Sequence, residues 1–373
     1  MKVALVHDHL TQNGGAERVL EAMQAIWPEA PTFTLLYDKE RLGQTFGHRE
    51  IRTSFLQNIP FAQKKTRWLL PLMPSATEAY DLSEFDVIVS SSSAFSKGVI
   101  APNHALHISY CHTPTRYLWS DTHSYVEDLH APKFIKRLLP PILSRLRTWD
   151  QLAAQRVDHF IANSDTVARR IEKYYKRESQ VITPPVNTHE FSISGRPKDY
   201  FLAGRRIASY KRFALIIDAF NKLNLPLKIF GIGPASQELQ RKAGDNIEFL
   251  GRVSDDERAR LFADSIAYIH PQEEDFGITP VESMAAGRPV IAYRKGGATE
   301  TVIDHVTGVF FDHQEWESLA DAVMHFDEKK FDSIAIRKHA QQYSLERFQK
   351  ELKTDVVQKF QDFQRHHLGH LPS

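Results

Sequence analysis

The sequence predicts an α/β protein with two doubly wound parallel sheets. Three observations carry this: short apolar runs alternate with helical patterns, they do so in two separate series, and a proline-rich break divides the series. The length of 373 residues agrees with two domains of ordinary size.

In the first series, Lys2–Val6, Asp86–Val89, Leu106–Tyr110 and Asp158–Ala162 are short, apolar or β-branched, and end in Ser, Asn, His or Gly. Such runs fit strands buried on both faces of a parallel sheet. A further strand at Gln180–Ile182 leads into Thr183-Pro184-Pro185-Val186-Asn187 and then Ser194-Gly195-Arg196-Pro197, which cannot be helix interior, so the hinge is expected near 185–198. The second series is Tyr200–Ala203, Leu227–Phe230, Ile247–Leu250, Ile266–Ile269 and Pro289–Tyr293, with helical stretches at Phe213–Leu223, Asp255–Phe262 and Val281–Ala286 between them. The charged stretch Glu346–Arg365 reads as a last helix. The expected organisation is therefore 1–188, 189–345, and a terminal helix over 346–373 that packs back at the domain junction.

Composition removes several classes. Forty-seven basic against 46 acidic side chains leave a net charge of +1, so no global field drives nucleic-acid binding. The one cysteine, Cys111, allows neither an internal disulfide nor Cys-rich zinc ligation, which fits a reducing compartment. The apolar run before His7 is too short for a signal peptide, and 98–115, free of Lys, Arg, Asp and Glu, is broken by Pro102, Asn103 and Pro114. A soluble cytoplasmic chain is the expectation. His7 and His9 point to opposite sides of the chain from Asp8 on a strand, so metal ligation there is not favoured, and His366-His367-Leu368-Gly369-His370 reads as a loose terminus.

The chemistry gathers in loops that follow strands. Glu274-Asp275-Phe276-Gly277-Ile278-Thr279-Pro280-Val281-Glu282 opens a helix ending at Gly287. Thr279 is expected as its N-cap, Pro280 as its first residue, and Glu282 as the other half of a capping box. A helix N-terminus preceded by Gly277 suits a diphosphate, while Glu282 as a plain cap and Glu274 as a solvated acid is the competing reading. Arg205 and Lys211 sit six apart after the first strand of the second series and can reach one phosphate pair, or form an ordinary basic loop. Gly231-Ile232-Gly233-Pro234 begins like a dinucleotide fingerprint, but Ser236 stands where the third glycine belongs. In the first half, Gly14-Gly15 links the first strand to its helix, as a tight turn or as a loop approaching a ligand. His112 lies just past a strand end, where catalytic residues of such sheets collect, although a lone histidine is more often structural.

Taken together and in this order, these pieces resemble family 4 of the retaining, nucleotide-sugar-dependent glycosyltransferases, over Lys2 to about Phe363. Glu274 and Glu282 match the family's two glutamates separated by seven residues. Gly204-Arg205 with Lys211 is similar to the donor-phosphate motif, Gly14-Gly15 to the amino-terminal glycine loop, Cys111-His112-Thr113-Pro114 to the histidine motif beside the donor sugar, and Leu250-Gly251-Arg252-Val253 to a segment near the nucleobase. The resemblance implies the GT-B fold, two Rossmann-like domains facing each other across a cleft. It implies that His112, Glu274, Arg205 and Lys211 serve catalysis. Gly14, Gly15, Arg252, Val253, Phe276, Gly277, Ile278, Thr279 and Glu282 would bind the donor, with Glu274 on the sugar and Glu282 on the ribose. No metal or other cofactor is expected, because two cations would neutralise the leaving diphosphate. The form Tyr110-Cys111-His112-Thr113-Pro114-Thr115-Arg116 resembles members that use GDP-mannose.

The expected acceptor is a lipid-linked or saccharide molecule of lipopolysaccharide or exopolysaccharide synthesis. Residues 61–73 couple Lys64, Lys65 and Arg67 to a bulky apolar stretch. From 133 to 177 there are eleven basic against four acidic residues, interleaved with Phe134, Ile135, Leu138, Leu139 and Trp149. Both suit an anionic membrane surface, here the inner face of the cytoplasmic membrane, or a solvated helix face over a core stripe. A nucleotide-sugar 2-epimerase and a silent sugar-nucleotide-binding subunit are the alternatives on the same architecture. The basic-apolar first half argues against the one, and the presence of both glutamates, His112 and Lys211 against the other.

Overall fold

A computed structural model describes residues 1–63, 66–122, 133–195 and 197–368. The chain divides into two compact units, Met1–Thr183 with Gln349–Ser373, and Pro184–Phe348. The helix Leu345–Leu368 thus begins in the second unit and belongs to the first from Gln349 on, where Gln349 Nε2 donates to the carbonyl of Ala22.

The first unit holds strands β1 (Val3–His7), β2 (Thr32–Thr34), β3 (Ile51–Thr53), β4 (Val87–Ser92), β5 (Leu106–Cys111), β6 (His159–Ala162) and β7 (Ser179–Val181). They form one parallel sheet in the order β3-β2-β1-β4-β5-β6-β7. Every residue of β1, β4 and β5 is buried, as expected for central strands covered on both faces. β2 and β3 are additional to the expected strands. Thr32-Phe33-Thr34 has no apolar run to reveal it, since its threonines are buried through polar bonds, such as Gln24 Nε2 to Thr32 Oγ1 at 2.9 Å.

The second unit holds β8 (Phe201–Gly204), β9 (Leu227–Phe230), β10 (Ile247–Gly251), β11 (Tyr268–His270), β12 (Val290–Tyr293) and β13 (Gly308–Phe311), all parallel, in the order β10-β9-β8-β11-β12-β13. Alternation along the strands splits its core in two. Phe201, Ala203, Ile291 and Tyr293 pack on one face with Phe213, Ile216 and Phe220 of the helix Phe213–Leu223, while Leu202, Val290 and Ala292 pack on the other with Val281, Met284 and Ala285. β13 was not legible in advance. It begins at Gly308, where a Cβ would sit 2.1 Å from the carbonyl oxygen of Val290.

Both sheets reverse strand order once, between β1 and β4 and between β8 and β11. These switch points leave a crevice at the carboxyl ends of the strands, where doubly wound sheets bind ligands.

Candidate functional site

In the first unit the candidate residues gather at the β1/β4 switch point. Asp8, directly after β1, accepts four backbone N–H groups of the loop after β4: Ser93 and Ala94 on Oδ2 at 2.6 and 2.9 Å, and Phe95 and Ser96 on Oδ1, both at 2.7 Å. Burial alone would raise its pKa, but the neighbouring His9 and His7 and the amides of Ser96 and Ser93 hold it below the usual carboxylate range. His7 and Ser91 pair across the strands in register, with His7 Nδ1 3.1 Å from Ser91 Oγ. The same hydroxyl lies 2.8 Å from His112 Nε2. His112 is buried, and burial, then His7, depress its pKa to about 4. It is therefore a neutral imidazole at ordinary pH.

The segment after His112 is held by a second buried carboxylate. Asp150 takes Lys97 Nζ at 2.5 Å, Thr115 Oγ1 at 2.8 Å, Trp119 Nε1 at 2.7 Å and Tyr175 Oη at 2.9 Å. Lys97 and Asp150 are each 1% exposed, and a buried pair persists only when its oxygens are so filled. Asn163 Nδ2 donates to the carbonyl of His112 at 2.9 Å. Gly14 is the N-cap of the helix Gly15–Ile26, and its amide donates to Glu17 Oε2 at 2.8 Å. The Gly14 amide is thus spent internally, and the amides that this helix end directs outward are those of its first turn.

In the second unit the two cations and two glutamates come together as pairs. Arg205, after β8, forms an ion pair with Glu282, and Lys211 forms one with Glu274, which follows β11. Glu282 is fully buried and lies 4.0 Å from Arg258 Nε as well. Arg205 sits at a φ of 90°, a strained conformation for a side-chain-bearing residue. Gln272 Nε2 donates to Glu274 Oε1 at 3.3 Å and stands 3.2 Å from Nδ1 of His270, whose pKa burial, then Lys211, push down to about 3.

The expected capping box does not form. The helix is Ile278–Ala285, its N-cap is Gly277 at a φ of 88°, and no side chain caps it. Thr279 lies inside the first turn, and Glu282 is turned to Arg205 instead. Pro280 has no N–H, so the orphan donors at this end are the amides of Gly277, Ile278 and Thr279. Phe276 is buried against Tyr343, with ring centroids 5.5 Å apart. Arg252 and Val253 follow β10 and Gly251, which has a φ of 68°; Arg252 is exposed and Val253 half-buried.

Glycines that follow strand ends prove to be backing for these loops. A Cβ on Gly231 or Gly233 would sit 1.8 Å from the carbonyl oxygen of Arg205 or Ile207, and one on Gly297 2.3 Å from Phe276 Cα. Ile207 N–H donates to the carbonyl of Ile232 and Gly297 N–H to that of Glu274. The sequence reading missed Gly296-Gly297, although glycines after a strand end were the signal. It also missed Arg258, which pairs with Asp255 and Glu190 and has no local mark. Among the described residues no three of His, Cys, Asp and Glu come together to hold a metal ion.

The two segments expected to meet a membrane are partly outside the described residues, namely Lys64 and Lys65, and the side chains of Arg67 and 133–138. Gly369 and His370 of the histidine tail also lie outside them. In 61–73, Phe61 and Trp68 are 68% and 62% exposed. Of the basic residues, Arg147, Arg156 and Arg177 donate to the carbonyls of Leu118, Gly98 and Ala154, so they serve the fold. Arg169, Lys173 and Lys176 remain outward and line, with Arg177, Glu172 and Glu178, a hollow of about 470 Å³. No helix among the described residues is long and apolar enough to cross a membrane.

The model of Glycosyltransferase Family 4 matches residues 14–190 and that of Glycosyl transferases group 1 matches 187–344. Relatives include the alpha-1,3/1,6-mannosyltransferase ALG2 of Dictyostelium discoideum, 26% identical over 62% of this chain and 63% of that protein. The D-rhamnosyltransferase WbpZ of Pseudomonas aeruginosa is 27% identical over 49% and 51%, and the O-antigen chain mannosyltransferase C of Escherichia coli 24% over 54% and 57%. The match thus spans between half and two thirds of the length of these relatives. Among solved structures, Anabaena Alr3699/HepE in complex with UDP aligns at a TM-score of 0.71 and 18% identity, covering 96% of this chain and all of that one. The sucrose-phosphate synthase of Thermosynechococcus elongatus aligns at 0.72 and 17%, covering 97% and 100%. At these identities the likeness is one of fold, two Rossmann-like domains of the GT-B type.

Proposed function

The chain belongs to the group 1 glycosyltransferases, and we propose that it moves a hexose, mannose from GDP-mannose, onto a lipid-linked or oligosaccharide acceptor of surface-polysaccharide synthesis, with retention of the anomeric configuration. The observation that carries the reading is the double pairing of Arg205 with Glu282 and Lys211 with Glu274, beside the open N-terminus of the helix Ile278–Ala285. Two cations and a positive helix end at a switch point suit a diphosphate leaving group, and a plain glycosidase needs none of them. The mannosyl relatives support mannose, and the pairing of cations supports transfer without a metal.

In the mechanism the donor diphosphate competes with Glu274 for Lys211, and the amides of Gly277, Ile278 and Thr279 meet its oxygens. Glu274, released, accepts from hydroxyls of the transferred sugar, and Phe276 lines the same loop. Glu282 holds Arg205 toward the phosphates and faces the ribose side, where Arg252 and Val253 flank the base. Gly14 and Gly15 present the first unit's helix end, and neutral His112 accepts from a sugar hydroxyl. The acceptor attacks from the face the diphosphate leaves, and the leaving phosphate oxygen takes its proton. Exposed Phe61 and Trp68 and the Arg169–Lys176 hollow support a cytoplasmic enzyme resting on an anionic membrane face.

Thermal-shift titration with GDP-, UDP- and ADP-sugars tests the donor, because a ligand bound only by the native state raises its melting point. GDP-mannose should give the largest shift, and incubation with a lipid-linked acceptor should give an α-linked product by NMR. No shift with any of them would overturn the reading.

A further inference from the structure

Four buried side chains run in a line through the first unit: Glu17, His7, Ser91 and His112, exposed by 3%, 3%, 0% and 8%. Glu17 Oε1 lies 3.9 Å from His7 Nε2, His7 Nδ1 3.1 Å from Ser91 Oγ, and Ser91 Oγ 2.8 Å from His112 Nε2. The hydroxyl in the middle has one proton, so it donates to one imidazole and accepts from the other. The direction of the whole line is therefore a single choice.

Glu17 makes that choice. Its carboxylate accepts the Gly14 amide on Oε2 and stands in the first turn of the helix Gly15–Ile26, where the helix end favours negative charge. An anion facing His7 Nε2 favours a proton on that nitrogen and disfavours a bare lone pair. His7 Nδ1 is then the acceptor and takes the Ser91 proton. Ser91 Oγ, having donated, accepts from His112, whose proton must sit on Nε2. We propose that Glu17, acting through His7 and Ser91, fixes His112 as the Nε2–H tautomer and so leaves Nδ1 as an acceptor for a sugar hydroxyl. Glu17, His7 and Ser91 are positioning residues in this scheme, and the sugar contact itself rests on the reading of His112 given above.

The surroundings favour no other arrangement. The groups that act on the His112 charge are His7, Asp8 and Glu17, and Asp8 has both oxygens filled by four backbone amides. The ring is braced by the edge of Tyr110, with centroids 5.3 Å apart, and the backbone by Asn163 and by the bond from the His112 amide to the carbonyl of Ser92 at 2.8 Å. Burial keeps the imidazole neutral, so tautomer rather than charge is the variable left to set.

The test is the imidazole ¹⁵N spectrum of the full chain at neutral pH without ligand, with the His112 signals assigned by His112→Gln. The expected result is a protonated Nε2 and a bare Nδ1 on His112, and a shift toward the Nδ1–H form in Glu17→Gln and in Ser91→Ala. A native His112 protonated on Nδ1 would overturn the proposal outright, whether or not the variants fold. So would folded variants in which the His112 tautomer is unchanged. In turnover, Glu17→Gln should lower kcat about tenfold, the worth of one hydrogen bond, with donor KM held. A His112→Gln chain that transfers sugar at the native rate would overturn the sugar-contact reading, whereas the spectrum judges the relay without any donor present.

Discussion

The carboxylate of Glu282 is fully buried, whereas the guanidinium of Arg205 that it holds, 77 residues away, keeps 23% of its side-chain surface exposed. The acid is the fixed member of the pair and the base is the one that can turn outward. Glu282→Ala would leave Arg205 uncompensated in a buried setting. Breaking such a pair typically costs about 3–5 kcal/mol, and the partial exposure of Arg205 puts the expectation near the lower end. A chemical-denaturation curve for the second unit should show that loss, together with weakened nucleotide binding. A variant with native stability and weak binding would mean that Glu282 acts on the nucleotide alone.

Lys211→Ala removes a cation needed most when negative charge grows on the leaving diphosphate. Turnover should fall by about 10²–10³ while donor affinity changes little. Glu274→Ala should leave GDP affinity no weaker, because it frees Lys211 for the diphosphate, and collapse sugar transfer. Calorimetry with GDP beside single-turnover rates checks both. If Glu274→Ala weakened GDP as much as Glu282→Ala does, the division between sugar and ribose would fail.

Acid should destabilise the fold well before its carboxylates titrate. Burial depresses His107 and His270 to about 3 and His112 to about 4, from 6.5. Between about pH 6.5 and 4 the unfolded chain therefore binds protons that the folded chain does not. Stability is full above that window and falls as pH drops through it. At pH 5 each histidine takes away roughly 2 kcal/mol, so the first unit, which holds His107 and His112, should weaken more than the second. Denaturation midpoints at pH 7 and pH 5 measure this. A His107→Gln chain should lose less between them; an equal loss would show that His107 is charged in the fold.

Gly297→Ala puts a methyl 2.3 Å from Phe276 Cα and must displace the loop that carries Glu274. Overpacking of this kind costs about 1–3 kcal/mol, and donor turnover should drop alongside. Unchanged kinetics with a lowered melting temperature would separate the backing of the loop from the chemistry it presents.

Donor hydrolysis or transfer should survive excess EDTA, since Arg205 and Lys211 supply the charge. Activity lost to chelator and restored by magnesium or manganese would replace this part of the mechanism.

The strands that were legible are those whose apolar runs declare burial on both faces, such as Leu227–Phe230, and the helix Phe213–Leu223 was readable to the residue. What stayed hidden depended on distant partners. The threonines of Thr32-Phe33-Thr34 are satisfied in the buried strand by Gln24 on Thr32 and by the carbonyls of Asp8 and Leu36 on Thr34. Thr279-Pro280-Val281-Glu282 has the spacing of a capping box, but Gly277 takes a left-handed turn that starts the helix at Ile278, and Glu282 answers to Arg205 in the loop after β8. Likewise, the pairing of His7 with Ser91 is a fact of strand register, which no local pattern reports.

The glycine backing divides the second unit's loops into an inner and an outer surface with different freedom to change. Behind Arg205–Ile207 and behind Glu274–Phe276 there is no room for even one methyl group, so a larger residue on that side must displace the loop in front of it. Diversification for a new donor is better written on the outer surface, at positions such as Arg206, Tyr210 and Arg252, which are exposed. Randomising these three would sample nucleotide preference with the phosphate cradle left standing.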